Sequence, residues 1–472
     1  MSLLGRLRPL KREQSHSASQ LHRSLGWPHL LALGVGAIVG TGIYTLTGVG
    51  IDRAGPAVIV SFVIAGAVCA CAALAYAEMA AMIPESGGAY TYAYCGLGER
   101  IAWIVGWSLI LEYSLACSSV AVGWSGYLIG WLHSLGVALP PALLAGPHAG
   151  GFINLPAVVV SLSVAGMLAA GTRESATLNI VLVVIKLAAL VLFVALALPA
   201  FDLARMTPFA PYGLGSHEIA GETRGVMAAA AIVFFAFYGF DAVATSAEET
   251  RNPGRDLKIG ILGSMALCTT IYILVALSAA GAVDFRALGV SGEPLAFVLK
   301  TLGHPVAAWI VGLAALVALP TVVLVMMYGQ SRIFFTMARD GLLPRRLAKV
   351  SERKGTPVLV TLLTGVFVAL VAGFFRLDEI AELANAGTLL AFIATALSMI
   401  MMRRRAPDVH RPFRCPSPLT IGTFAILGCA YLIASLPERT LERFVLWNGL
   451  GILLYFLGQM LSATRRDGER TV

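Results

Sequence analysis

The chain has 472 residues, of which 58% are hydrophobic and only 13% charged, with a mean hydropathy of +0.81. That charged share is about half the norm for soluble proteins, so a set of soluble domains with polar surfaces is excluded. The formal charge of +8 resides in short loops between apolar runs, and no basic domain stands apart from them, which argues against nucleic acid as a partner.

Twelve apolar runs are expected to cross a bilayer, each long enough to traverse ~30 Å of hydrocarbon as a helix. In chain order they are 27–50, 57–83, 100–132, 153–171, 175–199, 222–248, 258–282, 304–338, 357–375, 380–402, 418–435 and 443–463. Residues 1–26 form a polar, basic tail without the short apolar core and cleavage pattern of a signal peptide, so the first run is read as retained. Between the second and third runs, Pro84-Glu85-Ser86-Gly87-Gly88-Ala89-Tyr90 reads as a turn into a short cytoplasmic-face helix. The longest polar stretch, 339–356, and the segment 403–418 read as basic cytoplasmic loops, and 464–472 as a cytoplasmic tail.

With twelve spans, the side holding both termini carries 25 lysines and arginines against 8 on the other, with Lys186 inside a span. This bias places both termini in the cytoplasm of a multi-pass protein of the cell membrane.

The seven cysteines (Cys69, Cys71, Cys95, Cys117, Cys268, Cys415 and Cys429) form no CxxC pair, and most lie in apolar runs. They read as small buried hydrophobes; no disulfide, metal site or cofactor is expected.

Two spans carry breaks. The first holds Gly34, Gly36, Gly40 and Gly42 in GVGAIVGTGIY, and the sixth holds Gly239 in FFAFYGFDAV. They lie five spans apart, the pairing that an inverted five-plus-five repeat produces, with a binding site near the midplane. Gly34 and Gly36 read as close helix packing. Gly40-Thr41-Gly42, two glycines around a hydroxyl in mid-span, reads as unwound. Unwinding frees N–H groups on one side and C=O groups on the other. The former attract a carboxylate and the latter an ammonium. An α-amino acid zwitterion satisfies both.

Ionisable residues inside spans are few: Glu78, Glu112, Lys186 and Asp241, with Glu248 and Glu249 at a helix end. Lys186, in LNIVLVVIKLAALVLFV, reads as a proton carrier, because desolvation penalises the charged form of a lysine and a mid-span position argues against snorkelling. Two readings stand for Glu112: it faces a substrate ammonium or polar cavity, or it is a hydrogen-bonded glutamate that packs the bundle. Asp241 either holds the broken helix by accepting backbone N–H bonds or pairs with a charge. Glu78 reads as interfacial, structural or gating. Phe234 and Phe240 read as core; Phe237 or Tyr238 is expected to serve as a substrate gate.

The histidines sit at span ends, in loops or in the N-terminal tail, and no HExxH or GxS-type motif occurs, so an intramembrane enzyme is disfavoured. A receptor that binds an amino acid without moving it would have the same site, but no cytoplasmic signalling domain is present.

The chain resembles the amino acid–polyamine–organocation (APC) superfamily, specifically its cationic amino acid transporter branch, over residues 25–460. The resemblance is carried by GVGAIVGTGIY (34–44), YAEMAAMIPESGGAYTYAY (76–94), FFAFYGFDAVATSAEETRNPGRDL (234–257), YGQSRIFFTMARDGLLP (328–344) and RPFRCP (411–416). It implies an all-α polytopic membrane protein of LeuT-type fold within 27–463. There 27–199 and 222–402 are the repeats and 418–463 holds two peripheral spans. It implies a substrate carboxylate at the backbone of Ile38, Gly40, Thr41 and Gly42, and an ammonium at carbonyls of Phe235, Ala236 and Tyr238. It implies Glu112 near that ammonium, Lys186 in the place of a sodium ion in proton-coupled members, and Met326 and Met327 beside the side-chain pocket. Tyr238 is bulkier than the aliphatic residue this branch implies there, which narrows the pocket. The expected function is proton-coupled symport of L-amino acids, neutral ahead of cationic, in a bacterial protein; an exchanger or a polyamine or cationic amino acid carrier is the alternative. A small membrane partner is left open.

Overall fold

In the computed structural model the described residues are 25–470, apart from 86, 138, 172–175, 220, 290, 350 and 352–356. The basic tail expected over 1–26 and the end of the C-terminal tail, 471–472, thus lie outside them except for residues 25 and 26, as do Ser86 and part of the loop 339–356.

The chain is helical almost throughout, as a bilayer demands of a backbone that has no water to bond. In order the helices are α1 (Trp27–Ile38), α2 (Thr41–Tyr44), α3 (Leu46–Ala54), α4 (Val58–Met82), α5 (Ala89–Gly96), α6 (Glu99–Ser134), α7 (Leu155–Ala170), α8 (Ala176–Ala197), α9 (Val226–Val233), α10 (Phe240–Thr245), α11 (Pro253–Ala282), α12 (Phe285–Leu288), α13 (Pro294–Thr301), α14 (Pro305–Arg339), α15 (Val358–Phe374), α16 (Leu377–Arg405), α17 (Pro418–Ala434) and α18 (Glu438–Arg470). Among the described residues eight stretches are long and apolar enough to cross a membrane, and four shorter apolar helices lie at 27–38, 155–170, 358–374 and 418–434. Each of the twelve expected runs overlaps one or more of these helices. The short helix expected after Pro84 is α5.

One expectation is corrected. Residues 217–224 form a two-stranded antiparallel hairpin, β1 (His217–Ile219) and β2 (Glu222–Arg224), so the sixth apolar run becomes helical only at Val226. Arg224, in the second strand, pairs with Asp52 at the end of α3 (3.2 Å), which ties the hairpin to the bundle.

The helices sort by depth in the bundle. In the stretch Val226–Thr245, 94% of the most apolar window is buried by protein, against 11% for Glu438–Met460. The broken α9–α10 segment is therefore central and α18 peripheral. On α15, Leu359, Leu362, Leu363, Val366 and Leu370 are all exposed, an apolar outer face suited to lipid rather than water. Glycines bring the central helices together: a Cβ at Gly34 of α1 would lie 2.8 Å from Ser264 Cβ on α11, and one at Gly260 of α11 would lie 2.8 Å from Leu30 Cβ on α1. Gly34 is thus a packing glycine.

Candidate functional site: a cavity between two interrupted helices

The first interruption follows from three residues. The Val39 N–H still bonds the Val35 carbonyl (2.8 Å), but Val39 then leaves helical geometry (ψ 88°) and Gly40 is extended. Helix resumes at Thr41. The N–H groups of Gly40, Thr41 and Gly42 have no backbone acceptor among the described residues. At the other side of the break, two carbonyls near the end of α1 are taken by side chains. Tyr272 of α11 donates its hydroxyl to Ile38 (2.8 Å), and Lys186 Nζ of α8 donates to Gly36 (2.8 Å). Lys186 is wholly buried.

The second interruption begins as α9 tightens into a 3-10 turn at Phe234–Ala236. Gly239 then takes φ +116°, a conformation open to glycine and strained for other residues. A Cβ there would also press on the α1 backbone, 2.9 Å from the Ala37 carbonyl carbon. Asp241, in the first turn of α10, accepts the Gly239 N–H on Oδ1 (3.0 Å) and the Tyr113 hydroxyl of α6 on Oδ2 (2.6 Å).

Between the breaks lies a small cavity. Ala37, Ile38, Gly40, Thr41 and Gly42 line it from the first break, Phe235 and Tyr238 from the second, Ala116 and Val120 from α6, and Val322 and Met326 from α14. Its walls are apolar apart from exposed backbone and the hydroxyls of Thr41 and Tyr238.

A family model for amino acid permeases matches residues 25–456. The chain belongs to the amino acid permease family, within the APC superfamily. It is 44% identical to a branched-chain amino acid permease of Bacillus subtilis (strain 168), over 93% of each chain. It is 40% identical to a methylthioribose transporter of the same strain, over 97% of this chain and 98% of the relative. It is 37% identical to a vacuolar cationic amino acid transporter of Arabidopsis thaliana, over 84% of this chain and 62% of that longer relative. These relatives are named as permeases and transporters, not as enzymes, and this permease is, like its family, a multi-pass membrane protein.

The permease cavity gathers seven of the residues singled out in sequence: Ile38, Gly40, Thr41, Gly42, Phe235, Tyr238 and Met326. Others stand behind the wall. Ala236 lies under Gly42, where a Cβ on the glycine would overlap the Ala236 backbone. Phe237 turns away from the cavity: its ring packs against Phe62 (5.9 Å between centroids) and Tyr272 (5.5 Å), so of the two aromatic gate candidates only Tyr238 is at the cavity. Glu112 is not among the lining residues either. It faces α16, beside Gly387, and its Oε2 is buried without a partner among the described residues. Met327 is buried but does not line the cavity. Ala37, Ala116, Val120 and Val322 are lining residues that sequence reading passed over, since small apolar residues in an apolar helix carry no mark.

Ion pairs tie the helices at both ends of the permease. Where α4 and α16 end, the buried Glu78 accepts a forked bond from Arg403 (2.7 Å to each oxygen) and the Cys415 N–H (2.7 Å), with Arg411 Nε at 3.4 Å. On the same side Glu249 pairs with Arg332 (2.7 Å) and accepts the Tyr328 hydroxyl (3.0 Å). The side chain of Glu248 is not described. At the opposite end, Arg53 of α3 pairs with Glu382 of α16 (2.6 Å), which also accepts the Thr440 hydroxyl (2.9 Å).

Proposed function

We propose that this permease is a secondary transporter that moves a small neutral L-amino acid across the cell membrane by alternating access, in symport with protons. The observation that carries this reading is the cavity itself: unwound backbone from two broken helices faces a small, apolar, uncharged pocket. A carboxylate suits the unpaired N–H groups of Gly40, Thr41 and Gly42, and an ammonium suits the carbonyls around Phe235, Ala236 and Tyr238. One α-carbon bearing both charges spans the breaks. No carboxylate side chain lines the pocket, which favours a neutral over a cationic substrate. The relative named for branched-chain amino acids points the same way.

Lys186 supplies the proton coupling in this reading. Its ammonium holds the Gly36 carbonyl close to the break. A neutral amine would hold that carbonyl far less strongly, since hydrogen bonds from charged donors are roughly twice as strong as neutral ones. Loading and loss of the proton would then bias the position of α1 and so the site. The reading includes a LeuT-type arrangement of twelve spans, in which the two broken segments are the first helices of inverted repeats, and both termini in the cytoplasm.

The relative named for methylthioribose favours a second reading, a thioether sugar as substrate. The test is uptake of radiolabelled neutral, cationic and acidic amino acids and of methylthioribose into proteoliposomes of the purified chain. Saturable uptake of small neutral amino acids supports the proposal. Uptake of methylthioribose alone, or of lysine and arginine alone, overturns it.

A further inference from the structure

Two side-chain hydroxyls border the cavity. Thr41 Oγ1 lies 3.5 Å from the Val120 carbonyl. The Tyr238 hydroxyl has no hydrogen-bond partner among the described residues, although the residue is only 4% exposed. A buried hydroxyl without a partner is penalised, and folded proteins seldom leave one. Packing alone does not account for it. The Tyr238 ring already meets the Phe235 ring edge to face at 4.8 Å, a contact phenylalanine would make equally well without a stranded polar atom. The hydroxyl is therefore explained if an occupant of the cavity supplies its partner.

The backbone of the two breaks is suited to the charges on a substrate's α-carbon. Tyr238 shares the remaining wall with Val120, Val322 and Met326, none of which offers a side-chain hydrogen-bonding group of comparable strength. A side chain that enters this pocket meets apolar surface and one free hydroxyl.

We infer that Tyr238 is a specificity residue whose hydroxyl bonds an oxygen on the substrate's side chain, so that small hydroxylated amino acids, threonine foremost, are preferred over their aliphatic isosteres such as valine. The inference rests on the proposed reading of the cavity as an amino acid site and narrows its substrate class. Threonine and valine have the same branched shape, so the apolar walls do not separate them. Only threonine answers the hydroxyl. A site built to bond a substrate hydroxyl discriminates far more strongly against an analogue lacking it than an apolar pocket does against a changed methyl group.

The test compares threonine and valine in wild type and in Tyr238→Phe, which deletes one oxygen and keeps the ring. Uptake into proteoliposomes gives kcat/KM for each, and thermal stabilisation of the detergent-purified protein gives relative binding. Wild type is expected to favour threonine by about tenfold or more, and Tyr238→Phe to bring the ratio near one while valine uptake holds or rises. Equal use of the two by wild type overturns the inference without any variant being needed. So does an unchanged ratio in Tyr238→Phe, which would mean that a water satisfies the hydroxyl, and so does equal loss of both in a variant whose melting temperature is unaltered. If wild type takes up no amino acid at all, the amino acid reading of the cavity falls and this inference with it.

Discussion

Gly42 and Ala236 touch backbone to backbone where the two interrupted helices meet: a Cβ on Gly42 would overlap the Ala236 Cα. Gly239 repeats the relation in the other direction, its missing Cβ leaving room for the Ala37–Ile38 peptide. Each break is thus held open by a glycine set against the other break. Gly42→Ala must push the two apart, a strain of about 1–3 kcal/mol by the measure of overpacked cores. We expect at least a tenfold loss of substrate uptake from a protein that still inserts and purifies as a single species. Wild-type uptake by Gly42→Ala would show that the breaks do not need this contact.

Asp241 is held on both oxygens, by the Gly239 N–H and by the Tyr113 hydroxyl. Tyr113→Phe leaves one carboxylate oxygen without that donor in a buried setting, at a cost of about 1–3 kcal/mol. The expected outcome is a lower melting temperature in detergent, with Asp241→Ala falling further because the Gly239 N–H is then released as well. The two losses should not add, since both variants break one network; a double variant that melts at the sum of the two shifts would contradict the coupling.

Glu78 collects the forked Arg403, the Arg411 guanidinium and the Cys415 N–H in one buried place. It pins the segment after α16 to the end of α4. Glu78→Ala leaves both arginines without their carboxylate, though each keeps bonds to backbone carbonyls, and a lower melting temperature is expected. Arg403→Lys keeps the charge but cannot form the fork, so it is expected to lose much of the same stability. Limited proteolysis within 403–418 is the readout: cleavage should accelerate in both variants, and a rate equal to wild type in Arg403→Lys would show that charge alone suffices.

The two breaks were legible because a break is a local event. Glycines flanking Thr41 and the glycine at 239 weaken the helix locally and permit backbone conformations that other residues resist. What lines the cavity was less legible, for a reason seen at Phe237 and Tyr238. Within a regular helix, successive residues face about 100° apart, so a face can be counted. Between a 3-10 turn and a positive φ that counting fails, and Phe237 turns to Phe62 and Tyr272 while Tyr238 turns to the cavity. Ala116 and Val120 on α6, and Val322 and Met326 on α14, are pairs spaced four apart on one face; among so many apolar residues the spacing does not say which face meets the site. Glu112 stands out as a charge in a span, but its surroundings are set by α16 around Gly387, far along the chain. The hairpin at 217–224 was missed because three-residue strands carry too little pattern to read.

The central claim, that substrate movement is coupled to protons through Lys186, is tested most directly by one comparison. Radiolabelled substrate uptake is measured in proteoliposomes with and without an inward proton gradient, for wild type and Lys186→Met, which keeps an unbranched chain of similar reach but carries no proton. The account predicts gradient-driven accumulation by wild type and none by Lys186→Met, with substrate exchange across the membrane retained in the variant to show that it is folded. Wild-type uptake that ignores the gradient and requires amino acid inside the vesicle would contradict symport. Gradient-driven accumulation that survives in Lys186→Met would remove the role assigned to Lys186.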